Sequence, residues 1–188
     1  MFRLVFFLSL FPIAAALAAR WWFGIRVLNG EGNRPCRCDL NTWMPAPDDQ
    51  AVMHRAEAPA GEFGRQLRLK ALADWRKRDR KAFISREKTR RFGLAIPPLS
   101  AVIAILAVVA GRMPPAGALA IPLAATAVAA VLDLLSLPSE LAAISRSIRK
   151  AKADRSFPGQ DDEEVVARCA NAHAWNVALP PILRWVQR

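Results

Sequence analysis

Four side chains in this sequence have the types that hold a soft metal ion: Cys36 and Cys38, in the stretch NRPCRCDL, and Cys169 and His173 far along the chain. Cys169 and His173 are four apart, so a helix puts both on one face. Three thiolates and one imidazole are a composition used by structural zinc, which staples loops too poor in hydrophobic residues to order themselves. The alternative is plain packing, because buried cysteines and a hydrogen-bonded histidine need no metal, and Cys-x-Cys is tighter than the usual spacing of zinc ligands. A redox role has little behind it. The dithiol motif is Cys-x-x-Cys, and a disulfide across one intervening residue is strained.

Other chemistry is scarce. No Gly-rich phosphate loop, nucleophile elbow or calcium loop occurs, and Asp48/Asp49 and Asp161 to Glu164 read as loop solvation and as acids in a helix first turn.

The elements that must position these residues follow from composition. The chain has 188 residues, 53% of them hydrophobic, and a formal charge of +11. A basic protein invites a nucleic-acid reading, but here long apolar blocks alternate with basic ones, so the charge is read as membrane topology and no nucleic acid is expected. The blocks are Leu4 to Ile25, Phe92 to Gly111 and Ala116 to Leu137. Each is long enough to cross a hydrocarbon core of ~30 Å. The expected fold is all-α: an integral membrane protein with three transmembrane helices, of which the second and third form a hairpin rich in small residues that allow close packing. Arg20, Trp21 and Trp22 end the first block as a snorkelling cation and an aromatic belt would. Asp133 is expected at an interface, in contact with water.

Arg3 and the run AALAA also fit a secretory signal peptide cleaved near Ala18 or Ala19. That reading would export the segment holding most of the Lys and Arg, whereas the hairpin connector carries only Arg112. The positive-inside rule therefore favours an uncleaved anchor with its N-terminus outside, and a basic segment and tail in the cytoplasm. In that reducing compartment a structural disulfide is not expected.

The chain is thus divided into an anchor (1–27), an irregular loop (28–61), a basic amphipathic helix (62–93), the hairpin (94–137) and a helical tail (138–188). In the basic helix Phe63, Leu67, Ala71 and Trp75 share one face, and twelve Lys or Arg stand against three acids from Arg65 to Arg91. It is expected to contact anionic lipid headgroups through Arg76, Lys77, Arg78, Arg80 and Lys81, with Trp75 as the interfacial anchor; another membrane protein is the alternative partner. In the tail, Pro138 is expected to precede a helix start at Ser139 and Glu140, and Val165 to Trp185 reads as an interfacial helix or a weak fourth span.

The hairpin, the following LLSLPSELAAISRSIR, an acidic turn and an Ala-rich helix together resemble the C-terminal membrane part of the bacterial membrane-bound neutral zinc metallopeptidase family, the YugP type. The resemblance covers residues 94 to 185, and its third zinc ligand would fall on Glu140. It implies a place in the bacterial inner (cytoplasmic) membrane. The family's His-Glu-x-x-His helix has no counterpart, since the chain's two histidines, His54 and His173, are not followed by Glu. The combined expectation is a non-enzymatic accessory or interaction protein, a catalytically dead relative of such a peptidase with no cofactor. The alternatives are a membrane hydrolase or a structural-zinc protein using Cys36, Cys38, Cys169 and His173.

Overall fold

The computed structural model describes residues 2–43 and 55–179. Asp48, Asp49, His54 and the last part of the apolar segment, from residue 180, lie outside them. Helix α1 (Phe2–Arg20) passes through a π-helical turn (Trp21–Ile25) into α2 (Arg26–Glu31). Two short strands, β1 (Pro35–Arg37) and β2 (Glu57–Pro59), precede α3 (Ala60–Arg78), α4 (Arg80–Val109), α5 (Pro115–Ala153) and α6 (Gln160–Val177). The protein is predominantly helical, as its patterning requires. Among the described residues three helical stretches are long and apolar enough to cross a membrane: Leu4–Glu31, Arg80–Val109 and Pro115–Ala153. Helix α6, at 18 residues, is not among them.

The chain divides into two compact units. One comprises residues 1–19, 85–136 and 178–188, the other 20–84 and 137–177. In the first, a small-residue core of Ala16, Ala127 and Ala130 with Ile13 and Leu179 lets α1 and α5 come close. Its outward surface carries Phe7, Phe11, Leu106, Val109 and Leu135, all well exposed. So continuous an apolar surface is stable against hydrocarbon and is a liability in water.

In the second unit, Phe63, Leu67, Ala71 and Trp75 form the buried face of α3, as their spacing predicts. Helix α3 crosses α6 at Gly64, where an added Cβ would stand 2.7 Å from Cys169 Cβ and 2.8 Å from the Ala170 nitrogen. Only a residue without a side chain permits this approach. Trp43, Phe63 and Phe157 close the core with ring centroids 5.1 to 5.7 Å apart, and Trp43 Nε1 donates to Gln66 Oε1 at 3.1 Å.

Four expectations change. The loop over 28–61 is not wholly irregular: β1 and β2 pair antiparallel with Cys36 opposite Ala58. The basic helix over 62–93 is two helices, because Asp79 leaves the helical region (φ −136°, ψ 79°) and its Oδ1 accepts the Ala82 N–H at 3.0 Å as the N-cap of α4. No new helix starts at Ser139 and Glu140. Helix α5 runs through Pro138 because Leu137, Glu140 and Ile144 form one buried stripe at helical spacing, while the proline itself is exposed and its ring burdens no packing. The anchor likewise runs on as helix to Glu31.

Candidate functional site

Cys36 and Cys38 lie two apart along an extended stretch and so point to the same side, and both are buried. Cys36 faces Asp162, near the start of α6, close enough to Cys169 to feel its charge. Cys38 instead gives its thiol to the Arg55 carbonyl at 3.3 Å. His173 shares the α6 face with Cys169, but its Nε2 is engaged with the Gly61 carbonyl at 2.8 Å. The structure thus sets Cys36 against Asp162 and within electrostatic range of Cys169, and gives Cys38 and His173 partners of their own. Among the described residues no group of three or more His, Cys, Asp or Glu is placed to hold a metal ion.

Electrostatics agree with packing. Burial pushes each thiol up to about 11, helped at Cys36 by Asp162, at Cys38 by Asp39 and at Cys169 by Glu31. A thiol held protonated is a poor nucleophile. Burial also lowers the His173 pKa, against the raising effect of the Gly61 carbonyl and with Arg68 and Arg65 as further lowering charges.

The polar residues that the fold does assemble are different ones. Glu140, expected as an acid at a helix start, is buried in mid-helix and accepts from Arg68 Nε at 2.9 Å and Nη2 at 2.6 Å. In the other unit Asp133, expected at an interface in water, is buried with Arg86: Arg86 Nη1 donates to the Asp133 carbonyl at 2.9 Å, to its Oδ1 at 3.3 Å and to Ser136 Oγ. Both acids are corrected for one reason. A buried carboxylate survives only with a charge-assisted partner, and each has one at helical reach.

Arg20 also differs from expectation. It does not snorkel: it is 8% exposed, and its Nε donates to Asn176 Oδ1 at 2.9 Å. Its Nη1 is buried with no hydrogen-bond acceptor among the described residues.

Of the residues expected to meet lipid headgroups, Arg76, Lys77, Arg78, Arg80 and Lys81 are all exposed, gathered at the corner where α3 ends and α4 begins. Trp75 is not an interfacial anchor. It is 3% exposed and stacks edge-on against Phe83, with centroids 5.7 Å apart, because it belongs to the buried face of α3.

A cavity of about 440 Å³ lies between α1 and α5, lined by Val5, Leu8, Pro12, Ala127, Val131 and neighbours. Its one polar side chain, Ser9, spends its hydroxyl on the Val5 carbonyl at 2.7 Å, so the cavity offers shape and no reactive group.

Sequence reasoning missed the roles of Arg68, Glu140, Arg86 and Asp133, yet a signal was present. Arg68 is spaced for the face of Ala71 and Trp75, Asp133 for that of Ala130 and Leu137, and Glu140 for that of Leu137 and Ile144. A charge on an apolar stripe marks a partner elsewhere. Comparison with family models, with curated proteins and with solved structures finds no match for this chain.

Proposed function

We propose that this chain is a non-enzymatic accessory protein of the bacterial inner membrane, which holds its second unit at an anionic lipid surface through the corner of Arg76, Lys77, Arg78, Arg80 and Lys81. The observation carrying this reading is that all five cations are exposed at the break preceding the Arg80–Val109 span. The one acid among them, Asp79, is occupied as a helix cap. Each cation near an anionic surface adds about 1 kcal/mol of attraction, and the span already pays the entropy of tethering. The N-terminus lies outside, and the corner and the tail lie in the cytoplasm, by the positive-inside rule.

Descent from a membrane zinc metallopeptidase fits the order of elements after the hairpin. In that reading Glu140 no longer serves a metal, and the guanidinium of Arg68 neutralises it instead. The chain is not a peptidase, since Glu140 alone cannot hold a catalytic ion. Peptide cleavage by purified protein that chelation abolishes and zinc restores would overturn this.

Spin-labelled lipids in reconstituted vesicles test the lipid role. Around the wild-type protein, labelled phosphatidylglycerol should be restricted in preference to labelled phosphatidylcholine, with a preference that falls with salt and with glutamine at the five corner positions. An unchanged preference in that variant would refute the reading. In a background without native cysteines, a probe at position 114 should react with an impermeant maleimide added to whole cells and one at position 77 should not; the reverse would invert the topology.

A further inference from the structure

Among the described residues Arg20 is a cation without a counter-ion. It is 8% exposed, forms no ion pair among the described residues, and has only the neutral Asn176 amide to hold it. Its Nη1 lies buried without an acceptor. Burying a charge on these terms costs several kcal/mol unless something anionic completes the site. By contrast the buried Arg68 and Arg86 each have a carboxylate.

The surroundings say what kind of anion. Arg20 directly follows the apolar residues of α1, and the next three residues, Trp21, Trp22 and Phe23, are each about half exposed. Arg26 lies 4.5 Å from the centre of the Trp22 ring. Exposed tryptophans with a cation stacked on one of them form the signature of the headgroup level of a bilayer. There the available anions are lipid phosphates. The backbone is also built for a fixed position. The π-helical turn over Trp21–Ile25 inserts an extra residue per turn, and Gly24 lets it approach α6 until an added Cβ would lie 3.2 Å from the Asn176 nitrogen. Asn176 is thereby set where it orients the Arg20 guanidinium.

We propose that Arg20, oriented by Asn176, is a binding site for the phosphodiester of a membrane lipid, with Trp21 and Trp22 against the glycerol and upper acyl chain. A rotation of the terminal torsions of the guanidinium gives Nη1 the phosphate acceptor it lacks among the described residues. Fork geometry suits two phosphate oxygens at once. The site rests on reading Leu4–Glu31 as a span and is independent of the basic corner.

The test uses the full chain in a neutral detergent, with thermal unfolding followed by tryptophan fluorescence. Three probes are added below micelle-forming concentration: dihexanoyl phosphatidylglycerol, dihexanoylglycerol and inorganic phosphate. Phosphatidylglycerol at about a hundredfold excess over its Kd should raise the melting temperature by on the order of 5 °C. The other two should not, because one lacks the phosphate and the other the chains. Arg20→Met should lose the shift while melting at or above the wild type without lipid, since it removes an uncompensated charge; a merely structural arginine would give a lower melting temperature. The glutamine variant of the corner should keep the shift. N176A gives a second reading that leaves the charge in place, and it should weaken the apparent affinity about tenfold. A full shift in R20M, an equal shift with inorganic phosphate alone, or loss of the shift only in the corner variant would each overturn the proposal.

Discussion

Arg68 on α3 and Glu140 on α5 meet as a buried ion pair in which Nε and Nη2 both donate to the same carboxylate oxygen, at 2.9 and 2.6 Å. The pair joins α3 to the C-terminal part of α5. Removing one partner leaves the other charged and buried. Arg68→Met or Glu140→Leu alone should therefore cost about 3–5 kcal/mol, and the double variant should recover most of it. Chemical unfolding in detergent across the four proteins measures the coupling, and simple additivity would show the pair to be unimportant.

Gly64 sets the spacing of α3 and α6. Alanine there places a Cβ against backbone atoms of Cys169 and Ala170, which cannot swing aside as a flexible side chain would. Overpacking of this kind costs about 1–3 kcal/mol. Gly64→Ala should lower the melting temperature, whereas alanine at Gly30, which has open space around it, should have the smaller effect that helix propensity gives.

The three thiols should be nearly inert in the folded protein. With pKa values of about 11, each has roughly a thousandth of its population as thiolate at pH 8. Ellman's reagent should react slowly with native protein and quickly with all three cysteines after denaturation, and native reactivity should rise only as pH climbs toward 11. A fast native thiol at pH 8 would contradict the burial.

His173 gives a pH dependence of known sign. Its folded-state pKa lies below 6.5, chiefly through burial, so near pH 6 the unfolded chain binds more protons than the folded one. Stability then rises with pH through that window, is fully present above about 6.5, and is lost on acidification at no more than about 1.4 kcal/mol per pH unit. Replacing His173 with Asn should flatten this part of the profile. An unaltered slope would place the titrating group elsewhere.

What was legible in the sequence is what periodicity and composition encode. The three apolar stretches, the buried face of α3 from Phe63 to Trp75 and the exposed cations around Asp79 follow from spacing alone. The errors share a cause. Trp75 was expected to face lipid because its face was assigned from the helix alone, and the residues that cover it, such as Phe83, lie past a break that only the Asp79 cap reveals. Glu140 was placed at a helix start because Pro138 is a local signal, and it is overridden by a partner 72 residues away. Arg20 was expected to reach for water on the same local logic, before Asn176, 156 residues on, could be known as its neighbour. Long-range pairing of polar groups has no period, so pattern reading does not find it.

The Arg86–Asp133 contact has a consequence for how the chain is made. The two residues are 47 positions apart, so Arg86 leaves the ribosome well before its carboxylate exists. During that interval Arg86 is without the carboxylate it meets in the folded chain, and a polar surrounding is the least costly one for it. Synthesis of the third helix supplies the acid, and Arg86 and Asp133 can then take up their buried contact. Formation of this contact must therefore wait for the third apolar helix, and a nascent chain that ends before Asp133 should leave Arg86 open to a guanidinium-modifying reagent that the completed chain resists.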